Sequence, residues 1–205
     1  MVPTRRAAAP QRRRTTSEQQ ILDATTALLR SGQRLPDIAV NDIIDSAGVS
    51  RSTFYQHFSS KTDLAFRMAA PAMAAARSAA DRWWQEPTWG SSADMVDIVR
   101  TLMAQGRQYR LEWLAVFDIA DRDGAAAAGV EGLVQDYVAQ MAERIVSEQE
   151  AGRISRAVDP PQLGRLVLIT TRACILDQLA HGDPAGDESF AATLGHVLWL
   201  AVRQH

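Results

Sequence analysis

Between Val40 and Lys61 the sequence reads VNDIIDSAGVSRSTFYQHFSSK. Its reactive side chains are mostly hydrogen-bond donors rather than nucleophiles or metal ligands. Ser50, Arg51, Ser52 and Thr53 stand at the start of a short polar and aromatic helix. Such a helix enters a DNA major groove N-terminus first, with its early residues facing base edges. Arg51 is the best candidate of the set for base reading. A guanidinium donates two hydrogen bonds to O6 and N7 of guanine, worth roughly 1–3 kcal/mol of discrimination. Thr53 suits a base, a phosphate or a thymine methyl. The hydroxyl, amide and imidazole of Tyr55, Gln56 and His57 suit phosphates. Lys61, the only lysine in the chain, opens the next helix. There an ammonium and free backbone N–H groups are expected to hold one phosphate together.

The elements that must position these groups are also legible. Ile43, Ile44, Val40 and Ala47 give one apolar face to a helix over 38–47. Gly48 supplies the tight turn, and Ser50 caps a helix running through His57. Phe54 and Phe58, four apart, are expected to face inward and pin that helix. Upstream, Ser17 to Gln20 fits a capping box, and Ile21, Thr25, Leu28 and Leu29 share a face until Gly32 ends the helix. Downstream, a long helix is expected from Lys61 to about Trp84, bent at Pro71, followed by a loop over 86–91. Further helices are expected over 93–108, 109–120, 125–151 (ended by Gly152), 160 to about 181 (capped by Asp159) and 187 to about 203. Alternating strand patterns are missing. The expected fold is all-α, about nine helices. A basic arm covers 1–16, a three-helix helix-turn-helix domain 17–62, and a helical domain 63–205.

Charge is uneven along the chain. Residues 1–67 carry ten Arg/Lys against six Asp/Glu, and residues 68–205 carry twelve against eighteen. A basic end on an acidic body points to a polyanionic partner at one end only. The single cysteine, Cys174, excludes a disulfide framework and a multi-cysteine metal site. No apolar run reaches a membrane span, and the basic N-terminus is not followed by an apolar core, so it is not expected to be a secretory signal and a cytoplasmic location is expected. Motifs for nucleotide, zinc or acyl-transfer chemistry are missing. Catalysis, metal and cofactor are therefore not expected. Asp118, Asp121 and Asp123 read as solvated carboxylates at a turn. In the body, Met103, Trp113, Phe117, Tyr137 and Met141, with Thr170, Thr171 and Cys174, fit either plain helix-bundle core or an apolar pocket with a few polar anchors. Trp83, Trp84 and Trp89 stand at the helix-to-loop boundary. Phe190, Leu194, Val197, Leu198 and Ala201 form a wide apolar face for a terminal helix and are expected to meet a second copy.

The run GVSRSTFYQHFSSKTDL resembles the DNA-binding signature of the TetR family of bacterial transcriptional regulators. The resemblance covers Ser17 to about Phe66. The remainder is similar in helix count and in its Gly-Arg-Ile…Asp-Pro linker, and loosely resembles the EthR-like branch. The resemblance implies DNA contacts at Asn41, Arg51, Ser52, Thr53, Tyr55, Gln56, His57 and Lys61, with the basic arm near the minor groove or backbone. It also implies a homodimer on palindromic operator DNA, an effector pocket in the body for a small hydrophobic molecule, and repression released by that effector in the cytoplasm at the nucleoid. Activation, or control by a partner protein instead of a small molecule, is the alternative.

Overall fold

A computed structural model describes residues 16–85 and 91–202, and side chains except those of 80–85. The basic arm, apart from Thr16, lies outside the described residues, as do Trp89 and the side chains of Trp83 and Trp84. Nine α-helices and two short 3-10 turns make up the described chain: α1 Ser17–Arg30, α2 Val40–Ala47, α3 Arg51–His57, α4 Lys61–Gln85, α5 Ser92–Gln108, α6 Arg110–Ala120, α7 Gly124–Glu150, α8 Pro160–His181 and α9 Asp187–Val202. No strand occurs among the described residues, as the all-helical reading required.

Helix starts follow local capping chemistry. The cap of α1 is Thr16, one residue before the expected Ser17, because Thr16 holds the extended conformation (φ −69°, ψ 156°) and its Oγ1 accepts the Gln19 N–H at 3.3 Å. The second helix begins at Val40 rather than Ile38. Pro36 sits in a 3-10 turn over Leu35–Asp37, Ile38 and Ala39 are extended, and Asp42 accepts the Ala39 N–H. Gly48 adopts the left-handed conformation at φ 65°, which costs a residue with a Cβ steric strain. Asp159 caps α8 through the Gln162 N–H at 3.0 Å.

Two apolar clusters fill the interior. One gathers Ile21, Leu29, Leu35, Ile43 and Phe54 with Leu64 of α4, and continues into Ala115, Val116 and Ile119 of α6. The other joins Met95, Val99 and Met103 of α5 to Leu194, Leu198 and Val202 of α9, with Ile145 and Ile154. Helices α5 and α9 approach so closely that a Cβ added at Gly195 would lie 2.6 Å from the Val96 Cα. This packing corrects the expected dimer face. Leu194 and Leu198 are buried against α5, and Phe190 packs on the same cluster. Ala192, Val197, Leu200 and Ala201 face outward on α9, and Leu166 and Ile169 are exposed on α8.

Arginines organise the helix ends of the body. Glu148, 2% exposed, is held between Arg144 at 3.2 Å and Arg153 at 2.6 Å. Gly152, at φ 73°, turns the chain so that Arg153 can reach back. Arg107 donates to both carboxylate oxygens of Asp187 at 2.8 Å and to the carbonyls of Gln178, Leu179 and Gly182. It thereby supplies donors to the end of α8, whose last carbonyls lack helical partners, while anchoring the start of α9.

Hydrogen bonding from Arg107, opposed by partial burial and aided by Gln178, holds the Asp187 carboxyl below its ordinary value of 3.8. A depressed carboxyl stabilises the fold above its unfolded value and loses that contribution as pH falls through the folded value. Asp187→Asn is expected to cost about 2 kcal/mol at pH 7. In thermal melts, its deficit against the parent should shrink as pH drops below 3.8. A deficit constant across that range would contradict the assignment.

Candidate nucleic-acid interface and cavity

A seven-residue helix is far too short to be stable alone in water, so α3 depends on its neighbours. Phe54 and Phe58 are both 0% exposed and anchor it. Their rings lie 5.7 Å apart. Arg67 of α4 lies over Phe58, donates to Glu18 of α1 at 3.0 Å and sits 3.6 Å from Asp63. No local pattern points to this triple tie. With the aromatics inward, Arg51, Ser52, Tyr55 and Gln56 are exposed and Thr53 and His57 are half-buried.

The outward residues are partly organised before any partner arrives. Arg51 Nη1 donates to Asn41 Oδ1 at 2.9 Å, and its guanidinium lies 5.3 Å from the Tyr55 ring centroid. Asn41, Arg51 and Tyr55 thus form one polar cluster across α2 and α3. Ser50 Oγ accepts the Thr53 N–H at 3.1 Å and lies 2.8 Å from the Ser52 and Thr53 hydroxyls, so the cap also draws those hydroxyls together.

Lys61 departs from expectation. Its ammonium donates to the carbonyls of Leu35, Pro36 and Ile38 at 3.3, 2.8 and 3.0 Å. An ammonium has three protons, so none is left for a phosphate. Lys61 is an internal tie between the turn before α2 and the start of α4. The start of α4 is itself capped, with Ser60 Oγ accepting the Asp63 N–H at 3.1 Å and Asp63 accepting the Ser59 N–H at 2.8 Å.

The aspartates of the α6–α7 turn also do more than face solvent. Asp118, on the last turn of α6, receives Arg34 Nε at 3.0 Å and a second bond from Arg34 Nη2. Arg122 pairs with Asp37. Asp123 caps α7 through the Ala125 and Ala126 N–H groups and accepts the Thr62 hydroxyl at 2.6 Å. These bonds join the body to the segment flanking the helix-turn-helix.

On the other side of α6 lies a cavity of about 410 Å³, walled by α4 to α8 and reaching Leu198 of α9. Five of the residues expected there are on its wall: Trp113, Phe117, Tyr137, Met141 and Thr171. Three are not. Met103 is 2% exposed inside the α5–α9 cluster, Cys174 packs against that cluster, and Thr170 faces solvent. The helical period explains the misses. On α8 the wall takes Val167, Leu168, Thr171, Arg172, Ile175, Leu176 and Leu179, a stripe that recurs every three or four residues. Thr170 and Cys174 each precede a wall position by one residue and fall outside the stripe. Arg77, Gln105 and Arg172 line the wall as well and carry no sequence signal that distinguishes them from surface polar residues. Trp113 and Phe117 stack at 5.8 Å with planes 13° apart, and the Arg172 guanidinium lies 5.3 Å from the Phe117 centroid.

An exposed donor-rich helix on a capped turn, fixed to a helical body with an apolar cavity, defines a helix-turn-helix regulator. Residues 21–68 match the family model for bacterial regulatory proteins of the tetR family. Over 212 aligned residues the chain is 26% identical to the HTH-type transcriptional regulator EthR of Mycolicibacterium smegmatis, covering 96% of this chain and 89% of that protein. Among solved structures, NalD, the secondary repressor of the MexAB-OprM multidrug efflux pump in Pseudomonas aeruginosa, superposes with a TM-score of 0.73 at 15% identity, covering 92% of this chain and 96% of that one. A regulatory protein TetR from Rhodobacter sphaeroides gives a TM-score of 0.63 at 19% identity, over 89% of this chain and 99% of that one. Residues 21–68 thus match the tetR family of bacterial regulatory proteins, and the chain as a whole shares the fold of the solved regulatory protein TetR.

Lys61→Met leaves three carbonyls without their donor and is expected to destabilise the fold by about 2–3 kcal/mol. The salt dependence of DNA binding by the folded fraction should stay unchanged. A flattened salt slope with an unaltered melting midpoint would return Lys61 to the phosphate contacts. Arg51→Ala is expected to relax base preference at one position by about 1–3 kcal/mol in a binding-site selection. Uniform weakening on all sequences would place Arg51 on the backbone instead.

Proposed function

We propose that this regulator is a repressor that binds a palindromic operator as a homodimer and is released when a small hydrophobic effector fills the cavity. It would act in the cytoplasm, on nucleoid DNA. The observation that carries this reading is the position of α6. Trp113, Val116 and Phe117 are cavity wall, Val116 also belongs to the apolar cluster of the helix-turn-helix, and Asp118 holds Arg34. Adjacent residues of one helix therefore face the effector site and grip the DNA-binding head.

Asn41, Ser50, Arg51, Ser52, Thr53, Tyr55, Gln56 and His57 are the proposed DNA face. The outward apolar strip Leu166, Ile169, Val197, Leu200 and Ala201 is the proposed dimer face. Exposed apolar side chains collected on two neighbouring helices favour a partner surface, and a two-fold pair would space the recognition helices by about 34 Å for successive major grooves. An effector that displaces Phe117 tilts α6, and the Arg34–Asp118 and Thr62–Asp123 bonds carry that tilt to the heads. The two recognition helices then no longer match the operator spacing.

Coupling between two sites is reciprocal. Effector affinity is therefore expected to fall when operator DNA is bound, by the factor with which effector weakens operator binding. Calorimetric titration with and without operator measures it, and equal affinities would contradict release by the effector. Val197→Glu combined with Leu200→Glu should yield a monomer by sedimentation and abolish binding to the palindrome. A dimer persisting in that variant would move the interface elsewhere.

A further inference from the structure

The cavity wall has one electrostatic sign. Among its described residues are two arginines, Arg77 and Arg172, and no aspartate or glutamate. Everything else on the wall is neutral and mostly apolar. Neither guanidinium makes an ion pair among the described residues. The acidic group near Arg172 is Glu131, and that carboxylate already accepts hydrogen bonds from Arg165 at 2.9 Å and Gln135 at 2.8 Å. Among the described residues, the wall thus carries positive charge with no salt-bridge partner, on a body of net negative charge.

The geometry at Arg172 leaves that charge usable. Its Cζ lies over the Phe117 ring, 5.3 Å from the centroid. A guanidinium has five N–H donors, and contact with a ring through its carbon does not consume them. Those donors form the fork that a carboxylate matches with two parallel bonds. Partial burial against Phe117 and the stacked Trp113 reduces competition from water.

We infer that the effector is an amphipathic monoanion, an apolar body ending in a carboxylate, with the carboxylate held by Arg172 and the body along the α5–α7 wall. Arg77, exposed on α4, adds to the positive field along the same wall. The inference rests on the reading of this cavity as the effector site. It excludes organic cations, which meet no acidic partner on the described wall. It also ties recognition to transmission, because the ring under Arg172 belongs to the residue before Asp118.

The full-length protein would be titrated calorimetrically with decanoate and with decanamide, which share chain length and differ in charge. Decanoate is expected to bind at least about tenfold more tightly, since charge-assisted bonds are roughly twice as strong as neutral ones. Arg172→Met should weaken decanoate far more than decanamide, so that the preference between the two disappears. Arg172→Lys, which keeps the charge but not the fork, should retain part of the preference. Decanamide binding as tightly as decanoate, or a preference unchanged in Arg172→Met, would overturn the anion while leaving the cavity as an effector site. Failure of both ligands to bind the parent protein would overturn the inference together with the effector reading.

Discussion

An α-helix moves as a rod. The eleven residues of α6 span about 16 Å, and the rod is gripped at both ends of its function. Its middle is cavity wall at Trp113, Val116 and Phe117, and its last turn holds Arg34 through Asp118. Ala115, Val116 and Ile119 extend the apolar cluster that buries Phe54 and Phe58. In the proposed mechanism, displacement of the cavity face is not absorbed locally. It must either break packing within that cluster or move the head with it, and close-packed interiors resist the first. Lys61 and Thr62 complete the constraint by fixing the start of α4 to the turn before α2 and to the start of α7.

What the sequence shows and what it hides divide by the range of the interaction. Gly48, Ser50, Phe54 and Phe58 were legible because a turn, a cap and an i, i+4 pair are local chemistry, and the helix-turn-helix is built from them. Asp159 before two prolines, and Gly152 after a long helix, were legible for the same reason. Lys61 was not, because its three carbonyl partners lie 23 to 26 residues away, and a lone lysine at a helix start carries no mark of them. Asp118 and Asp123 looked like solvated turn carboxylates for the same reason. Their partners Arg34 and Thr62 lie 84 and 61 residues distant.

The body was harder because its helices are apolar on more than one side. Helix α9 has Leu194 and Leu198 toward α5 and Val197 and Leu200 outward, so periodicity alone cannot say which face meets the core. Gly195 settles it physically, since its missing Cβ lets α5 approach. On α8, wall and non-wall positions differ by a single residue, which places Thr171 on the cavity and Thr170 in solvent. Arg172 carries chemistry there that no motif announces. The cap of α1 shows the same resolution limit, since Thr16 and Ser17 are both capping types and the backbone places the cap on Thr16.

Hydrogen–deuterium exchange of the full-length protein, free and bound to an operator recovered by selection, tests the central claim most directly. If α6 is the rigid link between cavity and head, operator binding will alter exchange over residues 110–123 as well as over α2 and α3, although no residue of α6 reaches the proposed DNA face. Exchange changes confined to residues 17–64 would show that the head answers DNA without the body, and the coupling through Asp118 would be wrong.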